Sequence, residues 1–188
     1  MATATRAIPF TGDHVLLKAG KGDVNLLIVP GRAGELLVDR TLRWSGERPA
    51  VTEDWDEPKA TLRLDATCPG SDQPDGPFCR ADYVLMVPPE TVIEASTTQG
   101  ILDVNDVYGS VRLTSISGNV AIRNVTGPLW ARTGSGDVRA DAISGGAADV
   151  EVGSGDVDLS FTTAPTSVKA VVRTSGDVMV NVPPAPTR

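Results

Sequence analysis

Residues 118–138 read GNVAIRNVTGPLWARTGSGDV, and they hold one complete copy of a repeat that organises most of the chain. One copy begins at Gly118 and the next at Gly136, each time with Asn or Asp and then Val following the glycine. Successive glycines of this phrase are 18 to 21 residues apart, at Gly100, Gly118, Gly136, Gly155 and Gly176, and an early form of the phrase is Gly22-Asp23-Val24. A recurring period of about 20 residues is typical of solenoids. The spacing therefore predicts a stack of similar coils.

Each repeat contains a second turn phrase about nine residues after the first. These phrases are Gly109-Ser110-Val111, Gly127-Pro128-Leu129 and Gly146-Ala147-Ala148, and each leads into another alternating segment. Each coil is therefore expected to contain at least two strands.

Hydrophobic and polar residues alternate within these segments, as expected for strands with one buried face. The expected inward residues are Leu102, Val104, Val111, Leu113, Val120, Ile122, Val138, Ala140, Val150, Val152, Val157, Leu159, Val178, Val180 and Val182. No segment has a helical period. The sequence predicts an all-β protein with almost no helix.

Glycine before each strand indicates a corner with positive φ, which glycine adopts readily. The Asp or Asn that follows can accept a hydrogen bond from amides two residues further on, which stabilises a turn. The predicted turn residues are Gly22, Asp23, Gly100, Gly118, Asn119, Gly136, Asp137, Gly155, Asp156, Gly176 and Asp177. A weak cation site on the aspartate column is the alternative. No cofactor and no metal are assigned.

The regular repeats occupy residues 91–182, and the segments around them differ in pattern. Residues 1–13 are interpreted as a polar tail and residues 183–188 as a Pro-rich tail. Residues 14–90 are expected to form a wider β region with antiparallel strands, continuous with the repeats as one domain. This region should cover one end of the stack, as terminal caps of repeat proteins do, with Trp44 and Trp55 packed inside it.

The chain has 188 residues, a net charge of −7 and a pI of about 4.7. Nucleic-acid binding requires clustered Lys and Arg, whereas the basic residues here are scattered. The composition therefore argues against a nucleic-acid partner.

Cys68 and Cys79 bracket a polar excursion rich in turn-forming residues. A disulfide between them would close a loop of about 12 residues, worth about 3 kcal/mol in the chain-entropy model. Disulfides persist mainly in oxidising compartments, so the pair indicates a location outside the cytoplasm. Two unpaired cytosolic thiols are the alternative. Two Cys and the lone His14 do not readily make a zinc site.

The sequence has no visible signal peptide and no run of about 20 apolar residues that could span a bilayer. We interpret the chain as the extracytoplasmic portion of a longer secreted or membrane-anchored protein. Any membrane contact would then use a segment absent from this chain.

The repeated Ser-Gly-Asp-Val phrases, Pro88-Pro89 before a strand that enters Thr97-Thr98-Gln99-Gly100, and the Cys pair resemble the adhesin-like β-strand-repeat domain of unknown function, also called toastrack. The resemblance covers residues 14–182. It implies a single-stranded, right-handed β-solenoid from a bacterial envelope protein linked to envelope-stress responses. It offers no catalytic residues to carry over.

These observations favour a non-catalytic interaction or sensing domain whose partner is an envelope protein or a cell-wall component. The candidate interaction surface consists of exposed strand residues that can bind a partner, namely Trp130, Arg112, Arg123, Arg132, Arg139 and Arg173.

Two other functions remain open. A structural scaffold could stack end to end, but Pro183, Pro184 and Pro186 lack the amide donor that ladder pairing requires, which favours a monomer. A carbohydrate-active β-helix enzyme would need paired carboxylates. Its candidates are Asp103, Asp137, Asp156 and Asp158.

Overall fold

The computed structural model describes residues 1–184, so positions 185–188 of the predicted Pro-rich tail lie outside the described residues. Every regular element in this part of the chain is a β-strand, which confirms the all-β prediction. The described residues include no helix long and apolar enough to cross a membrane.

The described residues 1–184 form sixteen strands. The N-terminal region contributes β1 (Ala2–Pro9), β2 (His14–Pro30), β3 (Glu35–Trp44), β4 (Ala50–Asp56), β5 (Thr61–Thr67) and β6 (Cys79–Val87). The repeats contribute β7 (Val92–Gln99), β8 (Leu102–Val107), β9 (Val111–Ser117), β10 (Val120–Val125), β11 (Leu129–Ser135), β12 (Val138–Ile143), β13 (Ala147–Ser154), β14 (Val157–Phe161), β15 (Ser167–Ser175) and β16 (Val178–Asn181).

The strands form two stacks that face each other across the core. Sheet I contains β4, β5, the first half of β2, and then β7, β9, β11, β13 and β15 in spatial order. Sheet II contains β1, β3, β6, the second half of β2, and then β8, β10, β12, β14 and β16. Each coil thus supplies one strand to each sheet, and neighbouring coils pair in parallel. This arrangement is the predicted solenoid. The right-handed coiling that the resemblance implies stays a prediction.

The coil made by β2 does not lie where its position in the sequence suggests. Leu16 of β2 pairs with Thr61 of β5 on one side and with Glu94 of β7 on the other. The second half of β2 lies between β6 and β8 in the same way. The coil built from β5 and β6 is therefore added outside the β2 coil, towards the N-terminal end of the stack.

Antiparallel strands are found only at the outer edge of this N-terminal end, within the described part of the chain. β4 pairs antiparallel with β5, β3 with β6, and β1 with β3. The predicted antiparallel cap is therefore present in part, because β5 and β6 themselves continue the parallel stack.

The structure corrects the interpretation of residues 1–13 as a polar tail. Residues Ala2–Pro9 form β1, and Ile8 and Phe10 are buried in the core. The edge of β3 offers backbone partners to this segment, and Phe10 packs edge-on against Trp55 with ring centroids 6.1 Å apart. Backbone pairing with β3 and the burial of Ile8 and Phe10 therefore hold this segment in the fold despite its polar composition.

Alternation predicts the core well, except at the C-terminal end. The inward residues from Leu102 to Leu159 named above are all buried. Val178, Val180 and Val182 were expected to join them, but they are 45%, 38% and 55% exposed. They belong to the last coil of the described residues, where no further coil covers their side chains.

The glycine corners have the predicted positive φ, and Gly136 shows why no other residue fits. Its φ is +134°, and a Cβ atom there would lie 2.3 Å from the carbonyl oxygen of Gly118 in the preceding coil. The same positive φ occurs at Gly22, Gly100, Gly118, Gly155 and Gly176. Glycine is required both by the backbone angle and by the close approach of successive coils.

The aspartates of the corners bond to the next coil and not, as predicted, within their own turn. Asn119 accepts a hydrogen bond from the amide of Asp137 at 2.9 Å, and Asp156 accepts one from the amide of Asp177 at 2.9 Å. At Ile101 the column lacks a side-chain acceptor. The aspartates therefore tie coils together along the stack.

Gly22 and Asp23 do not occupy this column, although their sequence matches the repeat. Leu26 pairs with Leu102, so Asn25 aligns with Ile101 and accepts its amide hydrogen bond at 2.7 Å. Asp23 instead lies 3.1 Å from Arg80. Extra residues at the bend of β2 shift the register between its two halves.

A further corner column was not predicted from the sequence. Asp106, Asn124 and Ala142 have φ between +55° and +58°, in β8, β10 and β12. Asp and Asn tolerate this region better than most residues, and the Asn124 side chain donates a 2.8 Å hydrogen bond to Asp106. In the sequence, this column is marked only by Asp106 and Asn124 at equivalent positions of two coils, with Ala142 in the next coil.

Cys68 and Cys79 are joined by a disulfide with their Cα atoms 6.0 Å apart, as predicted. The bond closes the excursion at the corner where the chain passes from β5 in sheet I to β6 in sheet II. It therefore clamps the two sheets together near the N-terminal end.

A charged pair lies between the two sheets inside the cap. Arg40 of β3 contacts Glu53 of β4 at 2.8 Å, and both side chains are largely buried. The phenol of Tyr83 lies in the same region and is almost completely buried. Burial raises the pKa of Tyr83 far above its ordinary value, and the carboxylate of Glu53 raises it further.

Candidate interaction surface

Trp130 lies on the outward face of sheet I, because its neighbours Leu129 and Ala131 point into the core. Arg112 is its direct partner on β9, and Arg132 follows two residues later on the same face. The guanidinium carbons of Arg112 and Arg132 lie 3.7 Å and 4.2 Å from the centroid of the indole ring. Cation–π attraction of this kind is worth about 0.5–1 kcal/mol at exposed sites. These three side chains form a stacked group, which we call the Trp130 stack.

Acidic residues of neighbouring coils hold both arginines of the Trp130 stack. Arg132 lies 3.0 Å from Asp149 and 3.0 Å from Glu151. Arg112 lies 3.9 Å from Glu94. Each cation of the stack therefore has a carboxylate beside it, and the surface carries both signs of charge.

A shallow groove of about 550 Å³ runs across the coils beside the Trp130 stack. Strands β2, β7, β9, β11, β13 and β15 and the turns before β9 and β11 contribute residues to it, including Val92, Ser110, Pro128, Trp130, Asp149 and Lys169. His14, the lone histidine, lies at one end with its side chain half exposed and 3.6 Å from Glu94. An extended partner in this groove would contact several coils at once.

The six residues predicted as one interaction surface are divided between two faces. Arg112, Trp130, Arg132 and Arg173 lie on sheet I, with Arg173 in contact with Glu151. Arg123 and Arg139 lie on the outward face of sheet II. Arg139 forms a 3.1 Å ion pair with Asp141 there. The six residues come from both half-repeats, and the two half-repeats form opposite sheets.

Sequence reasoning missed the acidic partners of the surface and Lys169. Glu94, Arg112, Trp130, Asp149 and Lys169 lie in one row across five coils, because the ladder registers bring them together. Aligning the second half-repeats of successive coils would have found this row. The long-range register supplies that alignment.

A second surface feature, also missed, is an apolar patch on the outward face of sheet II. It comprises side chains that alternate with core residues near the N-terminal end, Leu27, Val29, Leu37, Val84 and Met86. Register places Leu27 beside Val84, and Val29 beside Met86. The side chains shield one another, so each is only partly exposed.

The carboxylates considered for carbohydrate chemistry occupy two different environments. Asp137 and Asp156 each use an oxygen to accept an amide hydrogen bond from the next coil. Asp103 and Asp158 lie on the outward face of sheet II. Among residues 1–184, no group of three or more His, Cys, Asp or Glu side chains is arranged to hold a metal ion.

The family model described as Toastrack DUF4097 matches residues 86–187, just over half of the sequence. The chain belongs to this family. The resemblance recognised in the turn phrases and the Pro88-Pro89 segment is thereby confirmed for the toastrack repeats. No curated protein matches the chain.

Two solved structures can be compared with this toastrack chain. One is a candidate cell adhesion protein from Clostridium sporogenes, with 10% identity and a TM-score of 0.49, covering 97% of this chain and 100% of the other. The second is a candidate adhesin from Parabacteroides merdae, with 8% identity and a TM-score of 0.24, covering 94% of this chain and 95% of the other.

Proposed function

We propose that this toastrack chain is a non-catalytic interaction module that works outside the cytoplasm and binds an envelope protein along the groove of sheet I. The observation that carries this proposal is the Trp130 stack beside a groove that crosses six strands. Trp and Arg are the residues most enriched at binding hot spots. A rigid strand face also loses little conformational entropy when a partner binds.

The chemistry of the groove suggests the kind of partner. Apolar Val92 and Pro128 lie beside Asp149 and Lys169, so the lining offers hydrophobic contact together with charges of both signs. An extended polypeptide segment with alternating polar and apolar side chains fits such a lining. A cell-wall polymer is the competing ligand, and sensing of envelope stress would follow if binding changes with the state of the envelope.

The disulfide supports the extracytoplasmic part of the proposal. A bond between Cys68 and Cys79 persists where thiols are kept oxidised. Trapping free thiols with an alkylating reagent in intact cells tests this directly. An oxidised pair is expected, and a reduced pair in freshly trapped protein would contradict the proposed location.

Binding is tested by comparing variants of the two faces. Immobilised protein is incubated with detergent-solubilised envelope protein and, separately, with purified cell-wall sacculi. Trp130→Ala and Arg112→Gln should abolish recovery of a specific envelope protein, whereas the sheet II variant Arg139→Gln should retain it. Thermal unfolding of each variant checks that the fold is intact.

Each outcome of this comparison has a definite meaning. Equal recovery by the sheet I variants would overturn the assignment of the groove. Recovery lost only with Arg139→Gln would move the interaction to sheet II. Retention by sacculi and not by envelope proteins would make the ligand a cell-wall polymer.

A further inference from the structure

Two departures from the regular repeat meet at one corner of the solenoid, near its N-terminal end. One is the bend of β2, where extra residues between Ala19 and Asp23 shift the register. The other is the loop of residues 68–79 that the disulfide closes. Between them lies a cavity of about 780 Å³, larger than the groove beside the Trp130 stack. Insertions in repeat proteins often build the binding face, and a cavity of this size is in the range of small-molecule sites.

The loop that forms one wall of this cavity is held in shape by its own bonds. Besides the disulfide, the amide and the hydroxyl of Ser71 both donate hydrogen bonds to the carbonyl of Cys68, at 3.1 Å and 2.9 Å. At the other end of the loop, the amide of Phe78 donates a 2.7 Å hydrogen bond to the hydroxyl of Ser45. The amide of Ser45 donates one of 2.9 Å to the carbonyl of Phe78 in return. Because this wall is ordered in advance, a ligand loses less conformational entropy in binding to it.

Hydroxyl and carboxamide side chains provide most of the polar lining. They come from the ends of β5 and β7 and from the loop, at Thr67, Ser71, Gln73, Thr98 and Gln99. A hydroxyl and a carboxamide can each donate and accept hydrogen bonds. Gln73, Thr98 and Gln99 are exposed, so a ligand in the cavity can reach them. Such a lining suits a ligand that carries many hydroxyl groups.

The charges of the lining offset one another. The carboxylate of Asp23 lies 3.1 Å from the guanidinium of Arg80, so this pair is neutral as a whole. The other two charged side chains that line the cavity are Lys21 and Asp72, which have opposite signs. A ligand with no net charge therefore fits this lining better than an anion or a cation.

An aromatic ring supplies the apolar part of the cavity. Phe78 is 46% exposed and lies in the lining with Pro74 and Pro77. The guanidinium carbon of Arg80 lies 5.3 Å from the centroid of the Phe78 ring, a cation–π contact that helps to orient the ring. Sugar rings present C–H groups on their faces and hydroxyls around their edges. A flat apolar ring among hydroxyl and amide groups complements both parts of a sugar.

We propose that this cavity is a binding site for a neutral oligosaccharide. Gln73 and Gln99 bond to the sugar hydroxyls, and Phe78 packs against the C–H face of a sugar ring. A purely apolar ligand is disfavoured because it would leave the polar lining without hydrogen-bond partners. The site lies apart from the groove of sheet I, so it does not depend on the interaction proposed for the Trp130 stack.

The test is a titration of the isotope-labelled chain with cellotriose, maltotriose and triacetylchitotriose, followed by the chemical shifts of the backbone amides. At least one of these neutral sugars should cause saturable shifts in residues 71–78 and at Gln99. The acidic sugar trigalacturonate should bind no more tightly than the best neutral sugar. Absence of saturable shifts with all three neutral sugars would overturn the proposal. So would shifts confined to the groove of sheet I, or tighter binding of trigalacturonate.

Variants of the loop locate the site. Phe78→Ala should weaken sugar binding about tenfold, through the lost aromatic contact, and Gln73→Ala about fivefold, through the lost hydrogen bond. Both side chains are exposed, so both variants are expected to fold, and thermal unfolding checks this. Tyr108→Ala is the matched control, because Tyr108 is an equally exposed aromatic residue between β8 and β9, outside the cavity lining. It should bind the sugar as the wild type does.

Unchanged affinity in the Phe78→Ala variant, or an equal loss in the Tyr108→Ala variant, would contradict the assignment of the cavity. Phe78→Ala leaves the groove of sheet I intact, so it should still recover the envelope protein. Sugar titration and envelope-protein recovery are separate measurements, and either proposal can therefore fail without the other.

Discussion

The Oδ1 oxygen of Asp137 accepts a hydrogen bond of 2.8 Å from the backbone amide of Asp156, which lies 19 residues further along the chain. The side chain therefore satisfies an amide of the next coil at the corner, where the strand ladders are interrupted. Asn119 and Asp156 repeat this contact one coil before and one coil after. A motif that resembles a turn signal is thus a tertiary contact between coils.

Replacing Asp137 tests this ladder. Asp137→Ala should lower the free energy of unfolding by about 1 kcal/mol, the usual net worth of one hydrogen bond. Asp137→Asn keeps the acceptor oxygen and should stay near the wild type, as Asn119 does the same task naturally. Urea unfolding measures both. A large loss in the Asn variant would show that charge and not hydrogen bonding is what matters.

Gly136→Ala separates two reasons for glycine at the corners. The added Cβ meets the carbonyl of Gly118, whereas a Cβ at Gly34, which also has positive φ, meets open space. Gly34→Ala should therefore lose only about 1–2 kcal/mol from backbone strain. Gly136→Ala should lose a further 1–3 kcal/mol or so from overpacking.

Chemical denaturation of both variants provides the measurement. Equal losses at the two positions would mean that the close approach of the coils contributes nothing. We expect the free energy of unfolding to be highest for the wild type, lower for Gly34→Ala and lowest for Gly136→Ala. The melting temperatures should fall in the same order.

Reduction of the disulfide should destabilise the N-terminal coils. The Cys68 to Cys79 bond closes a loop of about 12 residues, so its loss should lower the free energy of unfolding by about 3 kcal/mol. Unfolding is compared with and without reductant, and the Cys68→Ser/Cys79→Ser double variant should match the reduced protein. An unchanged midpoint under full reduction would contradict the clamp between the sheets.

Because Tyr83 is buried, we expect the free energy of unfolding to fall at high pH. Burial first, and then the Glu53 carboxylate, raise the pKa of Tyr83 in the folded protein. An unfolded tyrosine has a pKa of about 10. Above that pH the unfolded chain loses a proton that the folded chain keeps, so the free energy of unfolding falls as pH rises. Below about pH 10, tyrosine keeps its proton in both the folded and the unfolded chain, so the contribution of Tyr83 to the free energy of unfolding is fully present.

The Tyr108→Phe variant isolates this effect, because the chain has two tyrosines and Tyr83 is then the only one. Ultraviolet absorbance should show no phenolate in the folded protein until well above pH 10. In the same pH range, Tyr83→Phe should flatten the fall in stability. Phenolate formation near pH 10 without unfolding would contradict the buried position.

Much of the fold follows from local patterns. Alternation identified the inward residues from Leu102 to Leu159, and the glycine phrases identified corners with positive φ. These predictions succeeded because the face of a strand on which a residue lies, and its backbone angle φ, depend on near neighbours in the chain. The Cys pair was recognisable for a similar reason, since it brackets a short loop.

The candidate surface was less accessible to sequence reasoning. Trp130 and its arginines could be named from the sequence. That Asp149 and Lys169 lie beside Trp130, and that Arg139 lies on the opposite sheet, depends on which strands share a sheet. That partition is set by ladder register across many residues of chain. Spacing reveals it only after the corresponding half-repeats of successive coils are aligned with one another.

The sequence by itself determined that the chain is all-β, that it coils with a period of 18 to 21 residues, and that Gly136 and its equivalents form corners. Only the tertiary structure decided the rest: β2 lies between the β5–β6 coil and β7, residues 2–9 join β3, and Val180 is exposed although its pattern is that of a core residue. The physical reason is that burial and strand pairing depend on what lies in the neighbouring layer. A local pattern specifies which way a side chain points, and only the assembled stack determines whether anything covers it.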